Sequence, residues 1–259
     1  MKLRPLLLLF VSAVCAGAPP ADEPLKPRFR PGEALRYDLK WSVFKVGSAR
    51  LQVHDLVEFE GEKAWHFSFH VRTNSFADAF FKVRTRIDTW VSEDLSRTLF
   101  YKEKKREGKI KRDIEVTFDW ETRQATYANH GKKREPIDLP EGPVLDSVGA
   151  VYRFRSLPLA RGESVSFAVT DGKKAVRLAL PVDREARIKV KAGRFNTYRI
   201  EPETGELGGV FEKSDDSEVR IWFSSDRFTY PVQVQGEVVV GSFWAKLRAI
   251  GIRNPEELD

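Results

Sequence analysis

Cysteine is almost absent from this sequence of 259 residues, since Cys15 is the only one. Cys15 lies within an N-terminal stretch that we expect to be removed as an export leader after Ala16. The mature chain then has no cysteine, which excludes disulfides, thiolate catalysis and cysteine-ligated metals. The sequence also has no His-Glu-x-x-His motif, no P-loop and no Gly-x-Ser-x-Gly elbow. The commonest motif-bearing hydrolases and phosphate-using enzymes therefore find no support. We expect a non-catalytic protein with no catalytic residue, no metal site and no cofactor.

Long apolar runs are missing except at the N-terminus. There, residues 6–14 form a largely apolar run after Lys2 and Arg4, and small residues follow at 16–18. This is the layout of a secretory signal peptide, and the run is too short to span a bilayer. No later stretch approaches membrane-spanning length, so the mature chain is predicted to lack a transmembrane span.

The leader offers more than one processing site. The favoured cut lies between Ala16 and Gly17, because a cut after Ala18 would place Pro19 next to the scissile bond. A lipoprotein anchor on Cys15 is the third alternative, although Val14 is larger than the residue that this processing prefers. The protein is therefore predicted to be exported to the periplasm or cell envelope, with anchoring through Cys15 as the lesser alternative.

The charge balance is mildly basic. Lys and Arg number 44 against 38 Asp and Glu, for a formal charge of +6, and the leader removes two of the positive charges. Both signs are interspersed along the chain, which is typical of a solvated surface and not of a nucleic-acid-binding domain. We expect no nucleic-acid partner.

Alternation of apolar and polar residues dominates the chain. Leu35, Tyr37, Leu39, Trp41 and Val43 alternate with polar residues, and the same period of two recurs at 65–71, 114–120, 165–169, 176–180, 186–190 and 219–223. The period indicates half-buried strands, and the gaps between them are too short for parallel crossovers. The predicted fold is mainly β, with a large antiparallel sheet that is strongly curved or barrel-like. A two-sheet β-sandwich is the alternative.

Two segments interrupt this alternation. Residues 143–155 place apolar residues at helical spacing, which predicts one amphipathic helix near 144–155 with Asp146 at its cap or in its first turn. Residues 74–82 begin with a capping asparagine and predict a short helix or a lip over a barrel mouth. The predicted organisation is a signal peptide (1–16), a proline-rich tether (17–31), a single β-rich domain (32–252) and a polar tail (253–259). Within the domain, the helix joins halves at about 32–141 and 160–251.

The strongest local charge feature is a run of basic residues centred on Glu107 and Gly108, which predicts a positively charged hairpin tip. As a functional site it would contact an anion such as a lipopolysaccharide phosphate, a phospholipid head group or an acidic glycan. As a structural feature it would guard an exposed strand edge against mispairing. Lys132, Lys133 and Arg134 extend the patch if their strand lies alongside. The candidate anion-contact residues of the hairpin are Lys102, Lys104, Lys105, Arg106, Lys109, Lys111 and Arg112.

Aromatic residues and histidines give weaker candidates. Trp90 and Trp222 lie opposite the apolar faces of their strands, so they either line a cavity or are covered by a second layer. His66 and His70 lie about 13 Å apart on an extended strand, too far to share a metal. His54 faces His66 if their hairpin has a three-residue turn, and a metal there would need a carboxylate such as Asp55 or Glu58.

Several short motifs follow one another in a specific order and spacing. They are Pro31-Gly32-Glu33 with Tyr37, Trp41 and Gly47, Phe80-Phe81-Lys82-Val83, the helix residues Asp146, Tyr152 and Arg155, and Ile221-Trp222-Phe223-Ser224 before Pro231. Together they resemble a family of exported bacterial proteins of unknown function, the DUF3108 family. The resemblance covers roughly residues 29–250. It implies an envelope location and a β-rich fold, and it supplies no catalytic residues.

These observations favour an exported, non-catalytic binding or carrier protein for a lipid, lipopolysaccharide or acidic glycan. One alternative is a structural or protein-interaction module of the envelope. The other is a carbohydrate-active hydrolase with two carboxylates brought together by the fold, for which residues 38, 88, 113, 119, 146 and 226 are eligible aspartates.

Overall fold

A computed structural model of the chain describes residues 25–202, 219–237 and 242–252. Several sequence predictions lie outside these residues. They are the signal peptide, its cleavage between Ala16 and Gly17, the anchor at Cys15, the first part of the tether and the polar tail.

The described chain is dominated by strands, as the alternation predicts. Two helices are present, α1 (Ser75–Asp78) and α2 (Ser147–Ser156). The strands are β1 (Glu33–Trp41), β2 (Phe44–Phe59), β3 (Glu62–Thr73), β4 (Val83–Ser92), β5 (Thr98–Glu107), β6 (Ile110–Asp119), β7 (Gln124–Asn129), β8 (Lys132–Lys133), β9 (Ile137–Asp138), β10 (Val144–Leu145), β11 (Ser164–Thr170), β12 (Ala175–Val190), β13 (Gly193–Ile200), β14 (Val219–Ser224), β15 (Pro231–Glu237) and β16 (Ser242–Ile252).

All described strands belong to one hydrogen-bonded sheet. Its order is β10-β11-β12-β13-β14-β15-β16-β1-β2-β3-β4-β5-β6-β7-β8, and β9 pairs with β7 off this path. Neighbouring strands are antiparallel, apart from the short parallel pair β10–β11. A parallel bridge between Arg97 and Val144 joins β10 to the turn after β4. The fold is therefore a single large antiparallel sheet and not the two-sheet sandwich.

The sheet curves around its own apolar face. Val116 of β6, Ala168 of β11 and Leu247 of β16 lie far apart along the strand order and yet share one buried cluster. A second cluster, around Phe167 and Phe223, fills the space between β11, β12 and β14. Strands from both ends of the path thus bury their apolar faces together, which removes a large hydrophobic area from water.

Helix α2 lies between these two clusters. Tyr152 packs in the first cluster, with its ring 3.8 Å from that of Phe67, and Phe154 packs in the second, 4.5 Å from Phe223. Asp146 caps the helix, accepting hydrogen bonds from the backbone N–H groups of Val148 and Gly149. The predicted helix and its cap are confirmed, and the helix connects the two parts of the core.

Asp146 also fastens the helix to the sheet. Its Oδ2 accepts hydrogen bonds from the hydroxyls of Thr89 at 2.6 Å and Thr98 at 2.8 Å. The carboxylate and both threonines are buried. A single side chain therefore satisfies helix N–H groups and strand hydroxyls that would otherwise be buried without partners.

A buried ion pair ties the same helix to the first strand. Arg155 Nη1 donates to Glu33 Oε1 at 2.7 Å, and Nη2 donates to Oε2 at 3.2 Å. The arginine side chain is fully buried and that of Glu33 is 4% exposed. The rings of Tyr152 and Tyr230 lie 5.3 Å from the guanidinium carbon, and the carbonyl oxygens of Phe228 and Arg28 accept hydrogen bonds from its N–H groups at 3.3 and 3.4 Å.

The N-terminal boundary differs from the prediction. Phe29, within the predicted tether 17–31, is buried and makes edge-on contacts with Trp65, Phe67 and Tyr152 at ring distances of 5.1–5.3 Å. The described end of that segment therefore packs into the core. Among the described residues, no helix is both long and apolar enough to cross a membrane.

Candidate anion-binding site

The predicted basic hairpin forms from β5 and β6, with its turn at Gly108 and Lys109. Strand alternation divides its cations between the two faces of the sheet. Lys102, Lys104, Arg106 and Lys111 lie on the outer face, opposite the core. Lys105 and Arg112 pair across the hairpin on the other face, where Lys105 bonds Glu107 at 3.0 Å. The predicted patch is thus two basic surfaces that meet at one hairpin.

The outer surface continues across neighbouring strands. Arg86 pairs with Lys104, and Arg84 with Arg106, in the β4–β5 register. Further rows follow in the same way, because Arg72 pairs with Arg84, Arg50 with His70, and Arg36 with Arg50. Directly opposed like charges destabilise a sheet pair by a few tenths of a kcal/mol or more. The concentration of cations is therefore an electrostatic cost to the fold at this face.

Carboxylates neutralise part of this surface. Arg84 Nη2 bonds Asp78 Oδ2 at 2.6 Å, and Lys102 Nζ bonds Glu115 Oε1 at 2.7 Å. Asp88 accepts from Arg86 Nε at 2.6 Å. Burial acts to raise the pKa of Asp88, but the hydrogen bonds from His66 and Arg86 outweigh it and hold this pKa well below its usual range.

Arg112, but not Lys105, lines a groove of about 680 Å³ next to β6–β8 and the β11–β12 turn. Of its charged lining residues, only Asp171 is acidic. Tyr127 stands in its wall, with Arg134 5.3 Å and Lys173 5.7 Å from the centre of its ring. The cations that line this basic groove are Arg112, Lys132, Lys133, Arg134, Lys173 and Lys174.

The groove joins residues from distant parts of the sequence. Lys132, Lys133 and Arg134 do extend the hairpin patch, since β8 pairs with β7 and β7 pairs with β6. Sequence reasoning missed Lys173 and Lys174, which come from the β11–β12 turn. Their only signal is the pair of lysines after Asp171-Gly172, and nothing local indicates that this turn packs against β6.

A histidine pair lies on the outer face. The rings of His54 and His66 are stacked with centroids 4.1 Å apart. Their hairpin has a two-residue turn and not the three-residue turn considered above. They meet because a register shift between Val53 and Leu56 sets two residues of β2 opposite His66. This β-bulge re-aims His54.

This pair and Asp88 place three potential metal ligands within 4.8 Å of one another. Asp55 and Glu58 are not members of the group. Because the rings lie within 15° of parallel, their nitrogen lone pairs run side by side and do not converge on one point. His54 Nε2 already bonds Ser68 Oγ at 2.8 Å, and His66 Nε2 bonds Asp88 Oδ1 at 3.0 Å. The group is built as a hydrogen-bonded stack, and metal binding would require both rings to turn.

Burial, with a contribution from nearby His66, lowers the pKa of His54 to about 4. His54 is therefore neutral at pH 7. Protonation of its ring would add a cation to a face that already holds Arg50 and Arg86.

Trp90 and Trp222 both lie on faces that point away from the core clusters. Trp90 is half-buried in a stack with His66, 4.6 Å away, and Phe59, 5.3 Å away. Trp222 is 9% exposed and stacks on Trp244 at 6.1 Å. Each tryptophan thus packs against aromatic neighbours on the outer surface, and neither lines the basic groove.

Five of the six eligible aspartates have structural contacts, whereas Asp113, on the outer face of β6, has a buried Oδ1 without a hydrogen-bond partner among the described residues. Asp38 bonds Lys45 and Lys191 at 2.8 and 2.7 Å. Asp119 and Asp226 accept backbone N–H groups in turns, while Asp146 caps α2 and Asp88 bonds Arg86. These five carboxylates are held by partners that stabilise the fold.

Comparison with solved structures shows a similar fold in another chain. A β-barrel-like protein of the DUF1849 family from Brucella abortus superposes with a TM-score of 0.55 at 12% identity, over 88% of this chain and 100% of that one. Two more distant chains each give a TM-score of 0.35. One, from Bacteroides fragilis, is described as an inferred exported protein with a YmcC-like fold (8% identity, 88% and 98% covered). The other, from Parabacteroides distasonis, is described as an inferred lipoprotein (11% identity, 88% and 100% covered).

Comparison with curated proteins gives no match. The profile of the family described as "Protein of unknown function (DUF3108)" matches residues 36–248, close to the range over which the motifs resemble it. This match covers most of the chain, so the protein belongs to the DUF3108 family.

Proposed function

We propose that the protein is an exported, non-catalytic binding protein of the cell envelope that holds an anionic ligand in the basic groove. The ligand is the phosphate or carboxylate portion of a lipid, a lipopolysaccharide or an acidic glycan. The observation that supports this most directly is the lining of the groove, where six cations face one carboxylate.

The chemistry of the groove suits several anionic groups at once. Arg112 and Arg134 offer planar guanidinium donors that bind phosphate or carboxylate oxygens in pairs, and the lysines add adaptable point charges. Tyr127 is itself buried, and Arg134 and Lys173 lie over its ring, so this residue holds two of the cations in place and offers little surface to a ligand. The ligand is therefore bound at the surface by charge, and not in an apolar interior.

Charge reversal tests this proposal. Lys132 and Lys133 are exposed, so the double variant Lys132→Glu, Lys133→Glu is expected to fold normally. Titration with tripolyphosphate and with oligogalacturonate, followed by calorimetry, should show at least a tenfold weaker affinity in the variant. Binding by the unaltered protein should weaken steeply as salt rises, because the Debye length shortens from about 10 Å at 0.1 M to about 3 Å at 1 M.

The matched control is Arg187→Glu with Lys189→Glu, which reverses two exposed charges on β12 away from the groove. The proposal requires this control to bind like the unaltered protein. Equal losses in both variants would mean that only the overall charge matters, and absence of binding to either anion would refute the proposal.

A further inference from the structure

Exposed apolar side chains are concentrated at one end of the sheet. Within the described ranges, eleven large apolar side chains are exposed, and eight of them lie at this end. Phe80 is 79% exposed and Val43 is 76% exposed. A monomeric soluble protein seldom has so many exposed apolar side chains close together. We call this group the aromatic rim; it consists of Trp41, Val43, Phe44, Phe76, Phe80, Phe81, Ile110 and Phe243.

The aromatic rim is continuous across four separate segments. Trp41 stacks on Phe243 at 6.3 Å, and Phe44 lies 6.4 Å from Phe76 of α1. Phe76 in turn contacts Phe80 at 5.6 Å. Phe81 then reaches the β5–β6 turn, where its ring lies against Gly108. Each aromatic residue thus has an aromatic neighbour or a turn beside it, and the group forms one apolar surface.

Backbone hydrogen bonds fix the segments that present this surface. Asn74 N donates to Val46 O at 2.9 Å, and Gly108 N donates to Lys82 O at 2.8 Å. The Asn74 side chain caps α1 and also donates to Lys45 O at 2.7 Å. The rim is therefore a preformed edge, so that a partner need not supply the free energy to order it.

The charge of the turns also differs between the two ends of the sheet. The three turns of the rim, residues 40–45, 74–84 and 106–112, contain eight Lys and Arg against two acids. Three turns at the opposite end, residues 58–63, 92–98 and 119–124, contain three Lys and Arg against seven acids. The segment 25–30, which lies against two of these turns, adds Lys26, Arg28 and Arg30 there. An anionic surface would therefore attract the rim more strongly than the other end.

We propose that the aromatic rim inserts into the interfacial region of an anionic lipid bilayer, with the surrounding lysines and arginines contacting lipid head groups. This inference deepens the proposed function, because it identifies the source of the anionic ligand as a membrane surface. Aromatic side chains are favoured at the boundary between head groups and acyl chains. Each nearby Lys or Arg adds about 1 kcal/mol of attraction to an anionic leaflet.

The geometry connects the rim to the basic groove. Ile110 of the rim and Arg112 of the groove are two residues apart on β6, on the same hairpin. An anionic head group at the groove would thus lie close to the surface that the rim enters. A bilayer supplies the apolar depth and the anionic head groups together, which a free glycan does not.

The test is partition of the full chain into vesicles. Vesicles of phosphatidylglycerol and phosphatidylcholine in equal parts should bind the protein, whereas vesicles of phosphatidylcholine alone should bind it at least tenfold more weakly. The double variant Phe44→Ser, Phe80→Ser should lose at least tenfold in the partition coefficient, because burial of each aromatic ring is worth more than 1.4 kcal/mol.

Two controls separate insertion from other effects. Val57→Ser with Ile250→Ser removes two exposed apolar residues outside the rim and should partition like the unaltered protein. Trp41 emission should be quenched by lipids that bear a nitroxide on the acyl chain. The variant Trp41→Phe should lose that quenching.

The outcomes distinguish this inference from the proposed function. If tripolyphosphate binds the groove but mixed vesicles do not bind the protein, the inference is wrong and the proposed function stands. If vesicles bind but the rim variant partitions normally, head groups are contacted without insertion and the inference is again wrong. If the rim variant converts a dimer to a monomer without changing partition, the occupant is a second copy of this chain, which also overturns the inference.

Discussion

Removal of one partner of the ion pair between Glu33 and Arg155 should strongly destabilise the protein. The variant Glu33→Gln keeps the size of the side chain but removes its charge, and it leaves a fully buried guanidinium without a counter-ion. Removing one partner of a buried pair destabilises a protein by about 3–5 kcal/mol. Because glutamine still accepts one hydrogen bond from Arg155, we expect about 3 kcal/mol, at the lower end of that range.

A neighbouring residue provides the matched control. Tyr152 is fully buried beside Arg155, and its hydroxyl has no hydrogen-bond partner among the described residues. Burial raises the pKa of this hydroxyl, so it stays neutral. Tyr152→Phe therefore removes an unsatisfied polar atom while it keeps the ring, and should leave the stability unchanged or raise it by about 1 kcal/mol.

Urea unfolding followed by far-ultraviolet circular dichroism measures both variants at pH 7. The slope of the free energy with urea should stay constant while the midpoint falls for Glu33→Gln. The double variant Glu33→Gln, Arg155→Met should recover at least half of the loss, because the charge itself is then gone. A loss below 1 kcal/mol for Glu33→Gln, or an equal loss for Tyr152→Phe, would refute the reasoning.

Further predictions concern the helix cap, the histidine stack and one turn. In urea unfolding, Asp146→Ala should lower the free energy of unfolding by about 2–3 kcal/mol, because buried N–H and hydroxyl groups lose their acceptor. Asn74→Ala, at the cap of the exposed helix α1, should lower it by about 1 kcal/mol or less in the same assay. A folded-state pKa of about 4 for His54 lies below its unfolded value, so stability should fall by up to about 3 kcal/mol as pH drops from 6.5 to 4. His54→Gln should lack that loss in urea unfolding at the two pH values, and an unchanged pH dependence would contradict the assignment. Gly172→Ala should lower the melting temperature more than Gly142→Ala. Both glycines have φ of +79°, but only an alanine at 172 would place its Cβ 2.7 Å from Val116 of β6. Equal shifts in melting temperature would exclude this contact as the cause.

Much of the local structure could be predicted because it depends on neighbours in sequence. The alternation at 65–71 and 114–120 identifies strands, and Asp146 before an apolar face at helical spacing identifies α2. The hairpin tip predicted at Glu107 and Gly108 also forms, between β5 and β6. These features follow from local sterics and from which side of an element is apolar.

The candidate site depended on information that alternation does not contain. Period two assigns a face to each residue but does not say which distant strand pairs with it, so the approach of Lys173 to the β6–β8 strands was not predictable. The bulge that brings His54 beside His66 shifts the register by one residue, and no turn signal marks it. Trp41 and Val43 continue the apolar pattern of β1, but the strand ends at Trp41 and both side chains are exposed at the rim.

The pairing of β1 with β16 places the first and last described strands side by side in the middle of the sheet order. During synthesis, this seam can close only after almost the entire chain has been made, because β1 and β16 come from opposite ends of the described sequence. Until then β1 and β15 both present unpaired edges, which are templates for association with other chains. A chain truncated before residue 242 would lack β16, which is a central strand of the sheet and not an edge strand. We therefore expect that folding intermediates of this protein need protection by a chaperone, whereas a circular permutant opened elsewhere, with β16 linked directly to β1, would close the seam early and fold faster.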